Sequence, residues 1–174
     1  MTNKRTGGPE SQAAALLAKL DIRSVPVPLD KIGEYLGAQI RFSPLDEELS
    51  GMIFIRDGVP IIGINSVHHR NRQRFTLGHE LGHLVLHKHL MTTMIHVDKK
   101  LPFLLRNQRS ATGKDKIEIQ ANQFAAELLM PEVILTKMLQ KHSFDLDDEG
   151  PLDEIARQFR VSRQAMGYRI QNIL

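Results

Sequence analysis

At 174 residues, 41% hydrophobic and 25% charged, the chain has the composition of one globular domain whose core is large enough to fold without a structural metal. It has no cysteine, which excludes disulfides, thiolate zinc sites and a cysteine nucleophile and fits a reducing, cytoplasmic compartment. No apolar run approaches the roughly 20 residues of a membrane helix, and a net charge of +3 is that of a mildly basic surface.

Residues 1–10 are polar, carry Gly7-Gly8-Pro9 and are expected to be disordered; they contain no apolar stretch of the signal-peptide kind. Ala13, Leu16, Leu17 and Leu20 predict a helix over 11–20. Val25-Pro26-Val27-Pro28 must be extended, because each proline disfavours helix in the residue before it. A second helix is expected over 29–36, with Asp30 near its start and Gly37 at its end. Strands follow at about 39–42, 51–56 and 60–65, the last two joined by Asp57-Gly58, a hairpin signal. Asn65-Ser66 then stands where a cap is needed for a long helix over 67–87.

That helix carries His79-Glu80-Leu81-Gly82-His83, the H-E-x-x-H pattern. Leu77, Leu81, Leu84 and Val85 follow the spacing of an apolar face. His79 and His83 lie one turn apart and point the same way, so both imidazoles can bind one zinc ion. Glu80 projects about 100° round the helix, where a general base for a metal-assisted hydrolysis belongs. Gly78 and Gly82 form a small-residue ridge beside the histidines. It suits either the close approach of another backbone, such as a sheet edge or bound peptide, or tight helix packing.

Residues 91–116 show no periodicity. Lys99, Lys100, Arg106, Arg109, Lys114 and Lys116 make the stretch basic around an apolar patch at 101–105. A loop of this length covers a cleft, contacts a partner or is simply solvated. A strong helix is expected over 117–130, ended by Pro131, and another over 131–140. Residues 141–150 are a polar, acidic linker, and two more helices fill 152–159 and 162–173.

A catalytic zinc needs three protein ligands and one open position. His87 lies about 12 Å along the helix axis from His79 and cannot share its ion. His89 falls where metzincins place a third histidine, but their intervening glycine is Leu86 here. Glu118, on the later helix, is the preferred third ligand, completing a two-histidine, one-glutamate set. Asn122, one turn further, is placed to accept the Nδ1–H of a ligand histidine. An oxyanion stabiliser is sought among Tyr35, His87, His89, His96 and Tyr168, between which the sequence does not choose.

His79-Glu80-Leu81-Gly82-His83-Leu84, with His87 following, and the run from Glu118 through Ala121-Asn122, Phe124-Ala125-Ala126-Glu127 and Leu128-Leu129-Met130-Pro131 together resemble the ImmA/IrrE family of zinc metallopeptidases. The resemblance implies an α+β fold: a mainly helical, zincin-like core over 11–140 with a small three-stranded sheet. It implies a Zn2+ cofactor held by His79, His83 and Glu118, with Glu80 as catalytic base. It also implies a cytoplasmic protein that cleaves a helix-turn-helix repressor encoded nearby and so relieves repression of mobile-element or stress genes. The alternative is a non-proteolytic regulator that binds DNA or a repressor, with a structural or vestigial zinc site.

Residues 151–174 resemble a helix-turn-helix, with Val161-Ser162 opening the second helix. Arg157, Arg160, Arg163 and Arg169 are its phosphate- or base-contacting candidates. Arg160 takes the turn position usually held by glycine, and the pair lacks a third helix. Packing is therefore favoured over direct DNA binding, and no membrane partner is expected.

Overall fold

The computed structural model describes residues 7–90, 96–99, 113–141 and 149–174. The chain runs α1 (Pro9–Lys19), α2 (Leu29–Tyr35), β1 (Gln39–Ser43), β2 (Leu49–Arg56), β3 (Val59–Asn65), α3 (Arg70–His87) and β4 (His96–Lys99). Then come α4 (Gly113–Leu129), α5 (Glu132–Lys141), α6 (Glu149–Phe159) and α7 (Arg163–Ile173). It is an α+β fold, mainly helical, with one mixed sheet.

The three expected strands form, and β4 adds a fourth, giving the order β1-β3-β2-β4. β1 runs parallel to β3, while β2 is antiparallel to both β3 and β4. Asp57 (φ 51°) and Gly58 (φ 78°) both take positive φ. That is the twist-matched hairpin turn the Asp-Gly pair predicts. Along β3 the alternate residues Pro60, Ile62 and Ile64 are buried, so one face of the sheet lies against the helices. Ile53, Ile62 and Ile64 of the sheet share one core with Leu77, Leu81 and Leu84 of α3 and Phe124 and Leu128 of α4.

α3 starts at Arg70, three residues later than expected, and its cap is His69, whose side chain accepts the Asn71 amide. Asn65 is used elsewhere. Fully buried, it accepts the Leu45 amide at 3.1 Å and donates to the carbonyls of Leu45, Asp46 and Leu49 at 3.3, 3.0 and 2.7 Å. It ties down the β1–β2 connection rather than opening the helix. α4 in turn begins at Gly113, one turn earlier than the periodicity suggests. The last residues of the basic segment are therefore helical, β4 lies within that segment too, and 91–95 and 100–112 fall outside the described residues.

The C-terminal pair shares the same core through Ile155, Phe159, Val161, Met166 and Ile170. Arg160 adopts φ 54°. With Val161 N–H bonded to Ala156 O and Arg160 N–H to Arg157 O, both at 3.0 Å, it closes α6 as a Schellman motif. Ser162 caps α7 by accepting the Ala165 amide at 3.1 Å. Asn71 Nδ2 donates to Val161 O at 3.0 Å, joining this turn to the start of α3. Arg169, a candidate for nucleic-acid contact, is instead buried in an ion pair with Glu127 and donates to Met130 O at 3.1 Å. Arg157 pairs with Glu154 and Arg163 with Asp153. Three of the four candidate arginines are thus engaged by acids within the chain. Among the described residues no helix is long and apolar enough to cross a membrane.

Candidate metal centre

α3 is buried without a break from Thr76 to Leu84. It lies between the sheet on one side and α4 on the other, so even its polar residues are enclosed. His79 is 3% exposed, His83 1%, Glu80 0% and Glu118 8%. Buried ionisable groups at such density must find partners or a counter-charge.

His79 and His83 meet edge to face, with ring centroids 4.6 Å apart and an interplanar angle of 81°. Their Nε2 atoms are 2.9 Å apart. Glu118, reaching in from α4, sets Oε2 at 3.3 Å from His79 Nε2 and Oε1 at 3.6 Å from His83 Nε2. Two donors on a tetrahedral zinc with ordinary bond lengths lie roughly 3.3 Å apart. The separations of 2.9, 3.3 and 3.6 Å bracket that value. This donor set fits a zinc ion, and among the described residues it is the group of three with metal-ligating spacing.

Burial by itself would push the Glu118 carboxyl up. The two imidazoles beside it, when doubly protonated, outweigh it and hold the group well below the usual carboxylate range. Glu118 is the sixth residue of α4, whose first-turn acid is Asp115, so a helix-dipole role does not account for its position.

Asn122 Oδ1 lies 2.8 Å from His79 Nδ1. The amide oxygen can only accept, so the His79 proton is on Nδ1 and the lone pair of Nε2 faces His83 and Glu118.

Two glycines set how close the neighbouring elements come. A Cβ at Gly82 would lie 3.1 Å from Ala121 O and 3.2 Å from Ala121 Cα, so the ridge packs on the α4 backbone. Gly51 of β2 is a residue that the sequence reading missed. A Cβ there would lie 2.5 Å from Thr76 Cγ2 and 3.4 Å from Glu80 Oε1, so its absence admits the Glu80 side of α3 to the sheet. A glycine in mid-strand was the available signal, since it often marks close approach of another group.

The remaining candidates divide. His87 is buried and its ring centroid is 5.7 Å from that of His83. Burial above all, then nearby His89, holds its imidazole below the ordinary value, against a hydrogen bond to the Ile117 backbone. Its Nε2 is buried and has no hydrogen-bond partner. His89 is exposed on the 3-10 turn after α3. Tyr35 is 45% exposed, with Lys19 Nζ 5.4 Å above its ring. Tyr168 is half-buried on α7, and the side chain of His96 lies outside the described residues.

The sequence profile of the IrrE N-terminal-like domain (Peptidase_M78) matches residues 33–171. The chain is 30% identical over 118 residues to an immunity region protein of Bacillus phage phi105, covering 68% of this chain and 67% of that protein. It is 30% identical over 143 residues to the radiation response metalloprotease IrrE of Deinococcus radiodurans, covering 77% of this chain but 37% of that protein. It is 38% identical over 103 residues to the metallopeptidase ImmA of Bacillus subtilis, covering 58% of this chain and 50% of ImmA. The chain thus spans half or less of the two metallopeptidases it matches. A Mycobacterium tuberculosis transcriptional regulator shares the fold, with a TM-score of 0.63 at 15% identity over 93% of this chain and 46% of the regulator. With the profile match running through both helix pairs and the sheet, the chain belongs to the ImmA/IrrE family through an IrrE N-terminal-like domain.

Proposed function

We propose that the protein is a zinc-dependent endopeptidase that cleaves a helix-turn-helix transcriptional repressor in the cytoplasm and so relieves repression of mobile-element or stress genes. The observation that carries this reading is the convergence of three buried donors, from His79, His83 and Glu118, at tetrahedral spacing beside Glu80. A structural ion has no use for a buried glutamate next to its first ligand. The names of the relatives agree, joining a phage immunity region to metallopeptidases.

His79, His83 and Glu118 would hold the ion. Once bound, it supplies a Lewis acid that polarises a peptide carbonyl and lowers the pKa of water. Glu80 takes the proton from the attacking water and returns it to the leaving amine. Asn122 keeps the His79 ring in the tautomer whose Nε2 lone pair would be free to hold the ion.

The test is co-expression with a repressor encoded beside this gene, with added zinc or a chelator, read as a shortened repressor band. A zinc-dependent, chelator-sensitive band is expected. Repressor binding without cleavage under any divalent metal would sink the peptidase reading and leave the non-proteolytic regulator.

A further inference from the structure

We infer that Gly82 is the gauge of the metal site: its missing side chain fixes how far the Glu118 carboxylate and the Asn122 amide stand from the two histidines. The inference rests on the metal-site reading above, and goes beyond it by assigning a positioning role to a residue that donates nothing to the ion.

α3 and α4 meet turn by turn in opposite chain directions. Gly78 faces Ala125 and Leu129, His79 meets Asn122, Gly82 faces Ala121 and Phe124, and His83 meets Glu118. The contact is not equally close along this ladder. At Gly78 an added Cβ would find side-chain carbons at 3.5 and 3.6 Å, ordinary van der Waals distances. At Gly82 it would find backbone atoms of Ala121 at 3.1 and 3.2 Å, and the ring of fully buried Phe124 at 3.2 Å. At Gly78 the added carbon is accommodated with nothing moving, whereas at Gly82 the Ala121 backbone and a locked ring are too close and give way only if the helix moves.

The tight contact sits beside the ligands. Gly82 precedes His83, while Ala121 precedes Asn122 and lies one turn past Glu118. An alanine methyl at 82 therefore displaces, by a few tenths of an ångström, the segment of α4 that carries both groups. A zinc site tolerates ligand distances to within only about 0.2 Å. The same displacement stretches the 2.8 Å contact between His79 Nδ1 and Asn122 Oδ1.

Four proteins test this: wild type, Gly82→Ala, Gly78→Ala and Glu118→Asp. Two readouts are taken on folded chain. Zinc affinity is measured by competition with a chromophoric chelator. The hydrogen-bonded ring N–H resonance of His79 is followed by NMR in metal-free protein. Gly82→Ala should weaken zinc about tenfold to a hundredfold, the usual size for a lost orienting contact, and should shift the His79 resonance. Gly78→Ala should change neither. Glu118→Asp, which shortens the ligand without moving the helix, should weaken zinc and leave the resonance in place. Wild-type zinc affinity together with an unshifted resonance in Gly82→Ala would overturn the inference. So would equal zinc losses in the two glycine variants. A wild-type chain that holds no zinc would instead remove the metal-site reading, while the metal-free resonance still decides whether Gly82 sets the spacing.

Discussion

The α3–α4 contact and the α4–α7 contact both bury charge, and they neutralise it differently. Between α3 and α4 the converging atoms are two imidazole nitrogens and a carboxylate, a set whose spacing a cation completes. Where α7 meets the junction of α4 and α5, the charges complete one another. Arg169 pairs with Glu127 and donates to Met130 O, and Glu127 Oε1 accepts the Glu132 amide at 3.3 Å. One α4 surface presents a donor set that an external cation would complete, and the other is closed by the chain's own arginine. Depth of burial alone does not separate them, since Glu118 and Glu127 are 8% and 5% exposed. What separates them is whether the opposite charge is already covalently present.

Substitution at Glu80 is the strongest way to sharpen that contrast. Glu80→Gln keeps the side-chain shape and removes the base. Zinc affinity should be unchanged and repressor cleavage should fall by about 10²–10⁴, the usual contribution of a general base. Normal cleavage by this variant, in the co-expression gel, would mean another group takes the proton.

The counterpart in the second pair is Arg169→Met. Breaking a buried ion pair leaves an uncompensated charge and costs about 3–5 kcal/mol, measurable as a lower urea midpoint with unchanged slope. The pH dependence follows from Glu127. Burial, the largest influence, pushes its carboxyl above 4.5, partly offset by Arg169 and the Glu132 amide. A carboxyl raised on folding contributes stability that is complete below its unfolded value and fades as pH rises through its folded value. Losing Arg169 removes a lowering influence and extends that window upward. The deficit of Arg169→Met should therefore shrink as the solution is acidified. A deficit independent of pH would mean that Arg169 acts through packing rather than charge.

Gly51→Ala probes the sheet side of α3. Its methyl would fall 2.5 Å from Thr76 Cγ2, one turn before Glu80, so the helix or the threonine must give. Overpacking of this kind costs about 1–3 kcal/mol. The ligands face α4, away from the new methyl. Zinc binding should survive, while cleavage drops about 10- to 100-fold as the base is misplaced. Equal loss of zinc and cleavage would show that the two sides of α3 are not independent.

These experiments also mark where the chain was readable from its sequence. The spacing of His79 and His83, the Asp57-Gly58 turn and the break at Pro131 are local signals, and each stands where local rules put it. Glu118 and Asn122 were legible because a carboxylate and an amide interrupt an otherwise small, apolar helix face. The exceptions depend on partners distant in sequence. Asn65 looks like a cap until the chain 16 to 20 residues earlier folds back to use its amide. Arg169 looks like a surface arginine until Glu127, 42 residues away, is brought beneath it. The four residues of β4 have no pattern of their own and are a strand because β2 offers an edge.

The smallest effect divides the first helix pair within itself. Gly78 and Gly82 are one turn apart on one face of α3, and both carry the entropic disadvantage of glycine in a helix, about 1 kcal/mol against alanine. Only Gly82 is pressed by backbone, with Ala121 O 3.1 Å from where its Cβ would be. At Gly78 the space is already adequate, so Gly78→Ala recovers most of the propensity term and adds ordinary contacts with Ala125 and Leu129. For a chain of this size that amounts to a rise of about 2–4 °C in melting temperature, with zinc affinity unchanged. A fall in melting temperature at Gly78→Ala, read in the metal-free protein, would mean that the helices are in contact along their whole length. The distinction between a loose turn and a gauging turn would then be lost.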